Sequence, residues 1–368
     1  MKIGILGGGQ LGRMLALAGI PLGARFRFLE PRQPAPVDGV GEVVRAAYDD
    51  AAALVRFREG LDVVSYEFEN VPDSSARYLD EVVSVYPPPA ALEFARDRRH
   101  EKEGFGRLEI PVAPWRSIDT RAELDTAVAE LGLPAVLKTR RLGYDGKGQA
   151  VLRTVDDVDG AWDALGDRPL ILEGFVEFSR ELSIIGVRRQ DGETVFYPLV
   201  ENTHRRGVLV RTDAPATGVD EALQAAAEAY AGAVMASLGY VGVMALELFE
   251  LGDGLLANEV APRVHNSGHW TQNGSVTSQF ENHMRAIMGL PLGPTSAVGH
   301  SVMLNLLGRL PDLTAVLREP LAHLHLYDKA PRPGRKIGHV NITGPDPAEV
   351  QAAAARIAAL FPADAGPV

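Results

Sequence analysis

Two glutamates face each other in a predicted β-hairpin, and their spacing favours a metal site. A three-residue turn would pair Leu251 with Leu255, and counting outward from that pair places Glu247 directly across from Glu259. The Cβ atoms of such a pair lie about 4.5–5.5 Å apart, so the two charges repel and a cation is expected between them. Asn258 adds a neutral oxygen beside Glu259, and hard oxygen ligands of this kind suit Mg²⁺ that also binds phosphates. The alternative is an exposed hairpin edge with the register off by one.

Two further polar segments follow the hairpin. Arg263 and His265 come directly after it, next to the predicted metal pair, and can orient an anion. Further on, Lys329 and Arg335 belong to a run with four cations within eight residues of an otherwise acidic protein. Such a run favours a local phosphate site, and a solvated basic loop is the alternative.

A glycine-rich loop follows the predicted strand that ends at Lys138. Its glycines would let backbone amides fold over phosphates, and its mobility would suit a lid. The loop is not a P-loop, because it lacks the Gly-Lys-Ser/Thr ending and the helix that should follow. An ordinary hairpin loop is the alternative. The loop comprises Gly143, Tyr144, Asp145, Gly146, Lys147, Gly148 and Gln149.

A Gly-x-Gly-x-x-Gly motif begins at Gly7, between a predicted strand and a predicted helix, and Glu30 stands where an acid would bind ribose. Alone, the motif predicts an NAD oxidoreductase. Backbone amides at a helix N-terminus also bind other anions, and Gln10 and Arg13 within the motif would suit a small phosphorylated substrate. A purely structural tight turn is the third interpretation.

The elements that must position these residues fall into three blocks. Residues 1–90 read as a Rossmann-like domain that ends in a short strand at 82–85. Residues 91–295 mix helices with hairpins, including a strand at 195–200, and residues 296–368 form a small C-terminal domain. The fold class is therefore α/β together with α+β.

Composition limits the classes of function. The chain has 368 residues, 46% of them hydrophobic, and a net charge of -11 that opposes binding to nucleic acid or to anionic membranes. It has no cysteine, which excludes disulfides and thiolate metal sites and suits a reducing cytoplasm. Residues 1–6 lack a signal-peptide pattern, and no run of about 18 apolar residues occurs. We expect a cytoplasmic protein with no nucleic-acid or membrane partner.

Together the motifs resemble the ATP-grasp superfamily and, more narrowly, the 5-(carboxyamino)imidazole ribonucleotide synthase family of purine biosynthesis. The resemblance covers nearly the whole chain, and two departures are Leu142, where glycine is expected, and Glu30, where aspartate is expected. The resemblance implies an ATP-grasp fold with an N-terminal Rossmann-like domain, a central two-part domain with a lid, and a small C-terminal domain. The narrower resemblance is carried by five motifs, at 7–14, 66–70, 143–149, 264–271 and 332–336.

The resemblance also implies a reaction. In that family ATP phosphorylates bicarbonate to carboxyphosphate, and the exocyclic amine of 5-aminoimidazole ribonucleotide captures the carboxyl group or the CO₂ that is released. The implied cofactors are ATP and Mg²⁺, the implied small-molecule partners are the ribonucleotide and bicarbonate, and a homodimer is usual.

Site residues carried over by the resemblance form four groups. The metal ligands would be Glu247 and Glu259, and the catalytic residues would be Arg263, His265 and Lys147. The ATP-binding residues would be Arg98, Lys138, Gly143, Tyr144, Asp145, Gly146, Lys147, Gly148, Gln149, Glu173, Gly174, Phe175, Val176, Glu181, His204, Asn258 and Glu259. The substrate-binding residues would be Gln10, Leu11, Glu69, Tyr144, Asp145, Arg263, His265, Asn266, Lys329 and Arg335.

Other functions share parts of this pattern. Formate-dependent glycinamide ribonucleotide transformylase and biotin carboxylase have the same nucleotide machinery, and only their carboxylate and amine substrates separate them from the resembled family. From different classes, an NAD oxidoreductase would bind NAD without hydrolysing ATP, and a catalytically silent sensor would bind ATP without turnover.

Overall fold

The computed structural model describes residues 1–143, 148–252 and 254–361. Predictions for Tyr144, Asp145, Gly146 and Lys147, for the turn residue Asp253, and for residues 362–368 lie outside the described residues. None of the helices in the described ranges has the length and apolar content that a membrane span requires.

Strands and helices alternate first and then segregate. The strands are β1 Lys2–Leu6, β2 Arg25–Leu29, β3 Glu42–Val44, β4 Val63–Tyr66, β5 Trp115–Ile118, β6 Ala135–Thr139, β7 Gln149–Leu152, β8 Leu170–Gly174, β9 Arg180–Arg188, β10 Thr194–Phe196, β11 Val200–Arg205, β12 Val208–Ala214, β13 Gly242–Leu251, β14 Gly254–Ala261, β15 His300–Leu307, β16 Ala322–Leu326 and β17 Lys336–Gly344. The helices are α1 Gln10–Gly19, α2 Ala51–Arg58, α3 Asp73–Asp80, α4 Pro89–Arg96, α5 Arg98–Arg107, α6 Arg121–Leu131, α7 Asp157–Leu165, α8 Glu221–Ser237, α9 Thr271–Gly274, α10 Gln279–Ile287, α11 Leu313–Leu317 and α12 Pro347–Ala358.

The N-terminal segment forms a parallel sheet in the order β3-β2-β1-β4. Strand β1 is apolar on both faces: Ile5 and Leu6, which point to opposite faces, are both fully buried, as expected for a parallel sheet covered on both sides. The predicted strand at 82–85 is wrong, because only Val85 forms a bridge, to Val64. The carboxyl ends of β1 and β4 bring the glycine loop and residues 67–70 to one edge.

A nine-stranded sheet carries the centre of the molecule, in the order β14-β13-β9-β11-β12-β15-β17-β16, with β10 also paired to β9. The C-terminal strands β15, β17 and β16 continue the same sheet. The predicted strand at 195–200 is wrong, because β10 ends at Phe196 and β11 begins at Val200. Pro198 lies between them and has no N–H for the ladder.

A separate four-stranded antiparallel sheet, in the order β5-β8-β6-β7, packs against α6 and α7 around its own core. Helix α5 joins this small sheet to the large one. Its N-cap Asp97 accepts a hydrogen bond from the Arg99 N–H at 3.0 Å and another from Arg140 Nη2 at 2.8 Å, just beyond β6. The two bonds fix the start of α5 against the small sheet.

The β13–β14 hairpin differs from prediction at its turn but agrees at its functional pair. Leu251 pairs with Gly254 rather than with its predicted partner, so the turn is one residue tighter. A β-bulge between Glu247 and Leu248 then shifts the register back by one. Asn258 is the extra residue of that bulge, and the ladder resumes with Glu247 opposite Glu259. The predicted carboxylate pair therefore forms, because two one-residue errors cancel.

Candidate active site

The two carboxylates of the hairpin are held in different environments. The Glu247 side chain is 14% exposed, and its Oε1 lies 3.1 Å from His265 Nε2. The Glu259 side chain is 39% exposed, and its Oε2 accepts a hydrogen bond from Arg98 Nη1 at 3.0 Å. Burial, followed by the charge of Glu259, raises the pKa of Glu247 to about 7. Within the described residues the buried Asn258 Oδ1 has no hydrogen-bond partner. These oxygens form a donor set that suits a hard divalent cation.

His265 is a neutral hydrogen-bond donor to this pair. Its Nδ1 lies 2.9 Å from Ser267 Oγ and accepts the Ser267 N–H at 3.4 Å, so Nε2 carries the proton that faces Glu247. Burial, followed by the charges of Arg263 and Lys336, keeps the pKa of His265 well below its ordinary value. A neutral imidazole can hold an anion by donation without adding a charge.

Arg263 links the hairpin to the N-terminal sheet. Its Nε donates to Glu69 Oε2, and Glu69 lies in the segment after β4. Burial opposes ionisation of Glu69, but the charge and the hydrogen bond of Arg263 together outweigh burial and lower the Glu69 pKa. Including its open mouth, the cleft beside this pair has a volume of about 550 Å³. Residues that line it include Arg98, Leu142, Gly143, Glu259, Arg263 and His265.

A buried cluster of cations surrounds Glu173 at the end of β8. Lys138 Nζ, on β6, donates to Glu173 Oε2 at 3.0 Å, and Lys102 Nζ lies 3.7 Å from the same oxygen. Burial alone would raise the Glu173 pKa, but the charges of Lys102 and Lys138 outweigh it and lower this pKa to about 2. Glu173 Oε1 is buried without a hydrogen-bond partner among the described residues. A ligand donor could satisfy that oxygen.

The other residues predicted to hold adenosine lie at and after the end of β8, and on β9 and β11 of the large sheet. Glu181 Oε2 lies 2.6 Å from His204 Nδ1 on the neighbouring strand. Burial lowers the His204 pKa, but the close contact with the Glu181 carboxylate and the charge of Glu247 together outweigh burial, so this pKa is raised. Phe175 is 41% exposed directly after Gly174, and Val176 is half-buried. An exposed aromatic face beside polar strand ends suits a heterocyclic base.

At the N-terminus of α1, residues distant in sequence meet. Lys329 Nζ donates to Gln10 Oε1. Burial lowers the Lys329 pKa to about 8, with the charge of Glu67 opposing the shift. Arg335 is half-buried nearby and donates to the Ala330 carbonyl at 3.2 Å. The Leu11 side chain is buried in the core, so any ligand contact of this residue would be through its backbone.

The glycine motif is filled by the protein itself. The Glu67 carboxylate accepts hydrogen bonds from the Gly9 N–H and, at 2.9 Å, from the Gly12 N–H. A Cβ added at Gly9 would lie 2.5 Å from Glu67 Oε1, so glycine is needed there to admit this carboxylate. Glu30 accepts the Gly8 N–H at 2.8 Å and is fully buried. The NAD interpretation is wrong, because the Glu67 and Glu30 carboxylates accept the loop N–H groups that a dinucleotide phosphate would need. Glu30 is also buried rather than open to a ribose.

The remaining predicted residues are engaged or only partly described. Asn266 and Asn305 exchange amide hydrogen bonds of 3.0 and 2.7 Å, so the Asn266 amide is held by the large sheet. Gly148 has a φ of +71°, and a Cβ there would lie 2.6 Å from a Thr139 oxygen. Gln149 begins β7 and is exposed. Sequence reasoning did not assign Glu67, Glu101, Lys102 or Asn305 to the site. Glu67 lies in the 66–70 motif, and Glu101 and Lys102 have helical spacing from Arg98, so these three carried a signal.

Comparisons with known proteins agree along the whole chain. Residues 1–96 match the ribonucleotide synthetase preATP-grasp domain, residues 103–280 the ATP-grasp domain, and residues 301–353 the phosphoribosylaminoimidazole carboxylase C-terminal domain. The chain is 52% identical over 363 residues to N5-carboxyaminoimidazole ribonucleotide synthase of Pseudomonas aeruginosa, and the match covers 99% of this chain and 100% of that relative.

Solved structures give the same similarity in three dimensions. The N5-carboxyaminoimidazole ribonucleotide synthetase of Thermus thermophilus superposes with a TM-score of 0.94 at 53% identity, and the match covers 98% of both chains. The Aspergillus clavatus N5-carboxyaminoimidazole synthase, solved with ADP and 5-aminoimidazole ribonucleotide, superposes with a TM-score of 0.89 at 32% identity, covering 98% of this chain and 97% of that one.

Proposed function

The chain belongs to the N5-carboxyaminoimidazole ribonucleotide synthase family of ATP-grasp ligases, and we propose that it carboxylates 5-aminoimidazole ribonucleotide with bicarbonate. ATP is consumed, and the products are the carbamate, ADP and phosphate. The reaction belongs to purine biosynthesis. The observation that carries the proposal is the Glu247–Glu259 pair, which lies beside neutral His265 and next to a cleft lined by Arg98 and Arg263.

Magnesium fits the hairpin. The Glu247 and Glu259 carboxylates would hold it, together with Asn258 Oδ1, which has no hydrogen-bond partner among the described residues. Burial, followed by repulsion from Glu259, raises the pKa of Glu247, and a cation between the two carboxylates would relieve that repulsion. When bound, Mg²⁺ supplies charge neutralisation to the transferring phosphoryl group.

The cations of the site have complementary tasks. Phosphoryl transfer depends mainly on positioning and charge neutralisation, so it needs no covalent nucleophile from the chain. Arg98 begins α5 and donates to Glu259, whereas Lys138 lies on β6 and donates to Glu173. Both would contact the ATP phosphates. Arg263 and His265 would hold bicarbonate, since one donates as a cation and the other as a neutral imidazole.

The ribonucleotide would bind at the N-terminus of α1. Gln10 and Lys329 already contact each other there, and Arg335 adds a second cation. Arg263 lies within the electrostatic reach of both Glu67 and Glu259, so the α1 site adjoins the carboxylate pair. Carboxyphosphate hydrolyses readily, so the amine must be in place before it forms.

Substrate dependence of ADP release tests this assignment. ADP release should require 5-aminoimidazole ribonucleotide and should rise with bicarbonate, because the amine captures the activated carboxyl group. Equal release with formate in place of bicarbonate, or with glycinamide ribonucleotide in place of the aminoimidazole, would assign the chain to another ATP-grasp reaction. Binding of ATP with no turnover under any of these conditions would indicate a sensor.

The remaining expectations are part of the same proposal. The domains are 1–90, 91–295 and 296–368, the assembly is a homodimer, and the enzyme works in the cytoplasm, which suits a cysteine-free chain. Limited proteolysis tests the boundaries, sedimentation equilibrium tests the dimer, and fractionation of cells tests the location.

A further inference from the structure

Helix α5 directs one face at the bulge of β14. Arg98, Glu101 and Lys102 are spaced at i, i+3 and i+4, so they share that face. Glu101 is 2% exposed and Lys102 is 1% exposed, although charged residues are rarely buried to this extent unless they are paired. Neither residue is among those that the proposed function places on a substrate.

Both buried side chains bond to the backbone of the bulge. Lys102 Nζ donates to the carbonyl oxygen of Asn258 at 2.9 Å. Glu101 Oε1 accepts the N–H of Val260 at 2.6 Å. Strand β14 is at the edge of the large sheet, and in the part of the chain that the structure describes its outer side pairs only at Ala257, through an isolated bridge to Val112. Among the described residues, no further strand satisfies the Asn258 carbonyl or the Val260 N–H. Two side chains of α5 therefore replace a missing strand on both sides of Glu259.

Lys102 also spans the two sheets. Its Nζ lies 3.7 Å from Glu173 Oε2 on β8 of the small sheet, and the bulge that it holds belongs to the large sheet. Because Lys102 remains beside Glu173, that carboxylate keeps a counter-ion if Lys138 turns toward a ligand.

We propose that Glu101 and Lys102 are positioning residues that fix the β14 bulge and so set Glu259 opposite Glu247. The inference rests on the proposed metal role of that pair. The bulge is what corrects the register after the tight turn, and a slip of one residue in a strand moves its side chains to the other face. Loss of either bond should therefore reduce the factor by which a metal ion strengthens nucleotide binding.

The test compares ADP binding with and without metal by calorimetry, using Mn²⁺ or Mg²⁺ and a chelator. The variants are Lys102→Met, Glu101→Leu and Glu101→Gln, and Arg99→Ala on the exposed face of α5 is the matched control. In the wild type, metal should strengthen ADP binding. Lys102→Met and Glu101→Leu should reduce this enhancement about tenfold or more, as loss of outer-shell partners commonly does.

Two controls separate positioning from a general structural role. Glu101→Gln keeps an acceptor for the Val260 N–H, so it should retain the enhancement. Metal-free ADP binding should be nearly unchanged in Glu101→Leu and Glu101→Gln, and Arg99→Ala should behave as wild type. Lys102→Met also removes a counter-ion of Glu173, so its enhancement by metal is measured against its own metal-free affinity. If Lys102→Met or Glu101→Leu does not fold, the hydrogen-exchange rate of the Val260 amide is measured instead, in wild type and in Glu101→Gln. Rapid exchange of this amide in both proteins would overturn the inference.

The outcomes also distinguish the inference from the function beneath it. An enhancement that persists fully in Lys102→Met and Glu101→Leu, while Glu247→Gln abolishes it, would overturn only the positioning role. A wild type in which metal does not strengthen ADP binding would overturn the metal site itself and the positioning role with it.

Discussion

Replacing Glu247 with glutamine should have opposite effects on stability and on turnover: the metal-free protein should become more stable at high pH, and turnover should fall. The two glutamates are not equivalent. Glu247 is the more buried of the pair and faces a neutral imidazole, whereas Glu259 is paired with the Arg98 guanidinium. Glutamine at position 247 keeps an oxygen that can accept the His265 Nε2–H and removes only the charge.

The expected change in stability follows from the Glu247 pKa, which rises from 4.5 to about 7. At about 1.4 kcal/mol per pKa unit, this rise corresponds to at most about 3.5 kcal/mol. A carboxyl group with a raised pKa holds its proton longer in the folded state, so the wild type loses this stability as pH rises from about 4.5 to about 7. The metal-free Glu247→Gln protein should therefore match wild type near pH 5 and exceed it at pH 8.

The matched variant is Glu259→Gln, which breaks the ion pair with Arg98 and should gain less stability at pH 8 or lose some. Turnover should fall by about 10²–10³ in both variants, because each removes stabilisation of transition-state charge. Urea unfolding in chelator at both pH values, with the Mg²⁺ dependence of ADP release, measures both effects. Near-normal turnover of Glu247→Gln at limiting Mg²⁺, or a loss of stability at pH 8, would refute this reasoning.

Three further expectations concern the ribonucleotide site and the lid. Lys329→Ala and Arg335→Ala should each weaken ribonucleotide binding by about 1.5–3 kcal/mol and ATP binding far less. An equal rise in the KM of both substrates would contradict this. Because the Lys329 pKa is about 8, the ribonucleotide KM of wild type should rise above that pH, a rise that Lys329→Arg should remove and whose absence in wild type would contradict the assignment. Leu142 has a left-handed φ of 62°, which costs a non-glycine residue about 1–2 kcal/mol. Glycine removes this strain but adds an entropy cost of about 0.5–1 kcal/mol, so Leu142→Gly should not lower the free energy of unfolding in urea, and a loss above about 1 kcal/mol would count against strain there.

Much of the fold could be predicted because the signals are local. Apolar runs such as that of β1, and capping residues such as Thr120 before α6, report on structure within a few positions. The strand at 195–200 failed because the proline within it was not weighed against its apolar neighbours.

The site could be predicted only where chemistry and hairpin geometry are local. Glu247 and Glu259 were paired by counting, although the count assumed a turn that is absent and a bulge restored the register. A bulge cannot be read from this sequence, because it depends on Lys102, 156 residues away from Asn258. Long-range contacts of this kind leave no trace in spacing.

Glu67 shows the same limit at the glycine motif. A motif of glycines before a helix predicts an anion site, and the structure has an anion there, but that anion is a side chain 55 residues from Gly12. The sequence pattern predicts that these backbone N–H groups bind a negatively charged group, but it does not show whether that group belongs to a ligand or to a distant side chain.

The most direct test of the central claim is to follow labelled carbon. With ¹³C-bicarbonate, ATP, Mg²⁺ and 5-aminoimidazole ribonucleotide, the label should appear in the carbamate on the exocyclic amine, with one ADP formed for each carbamate, before the carbamate decays. ADP formed at the same rate without the ribonucleotide, or a carbamate without label, would contradict the assignment of this chain as a bicarbonate-dependent ligase.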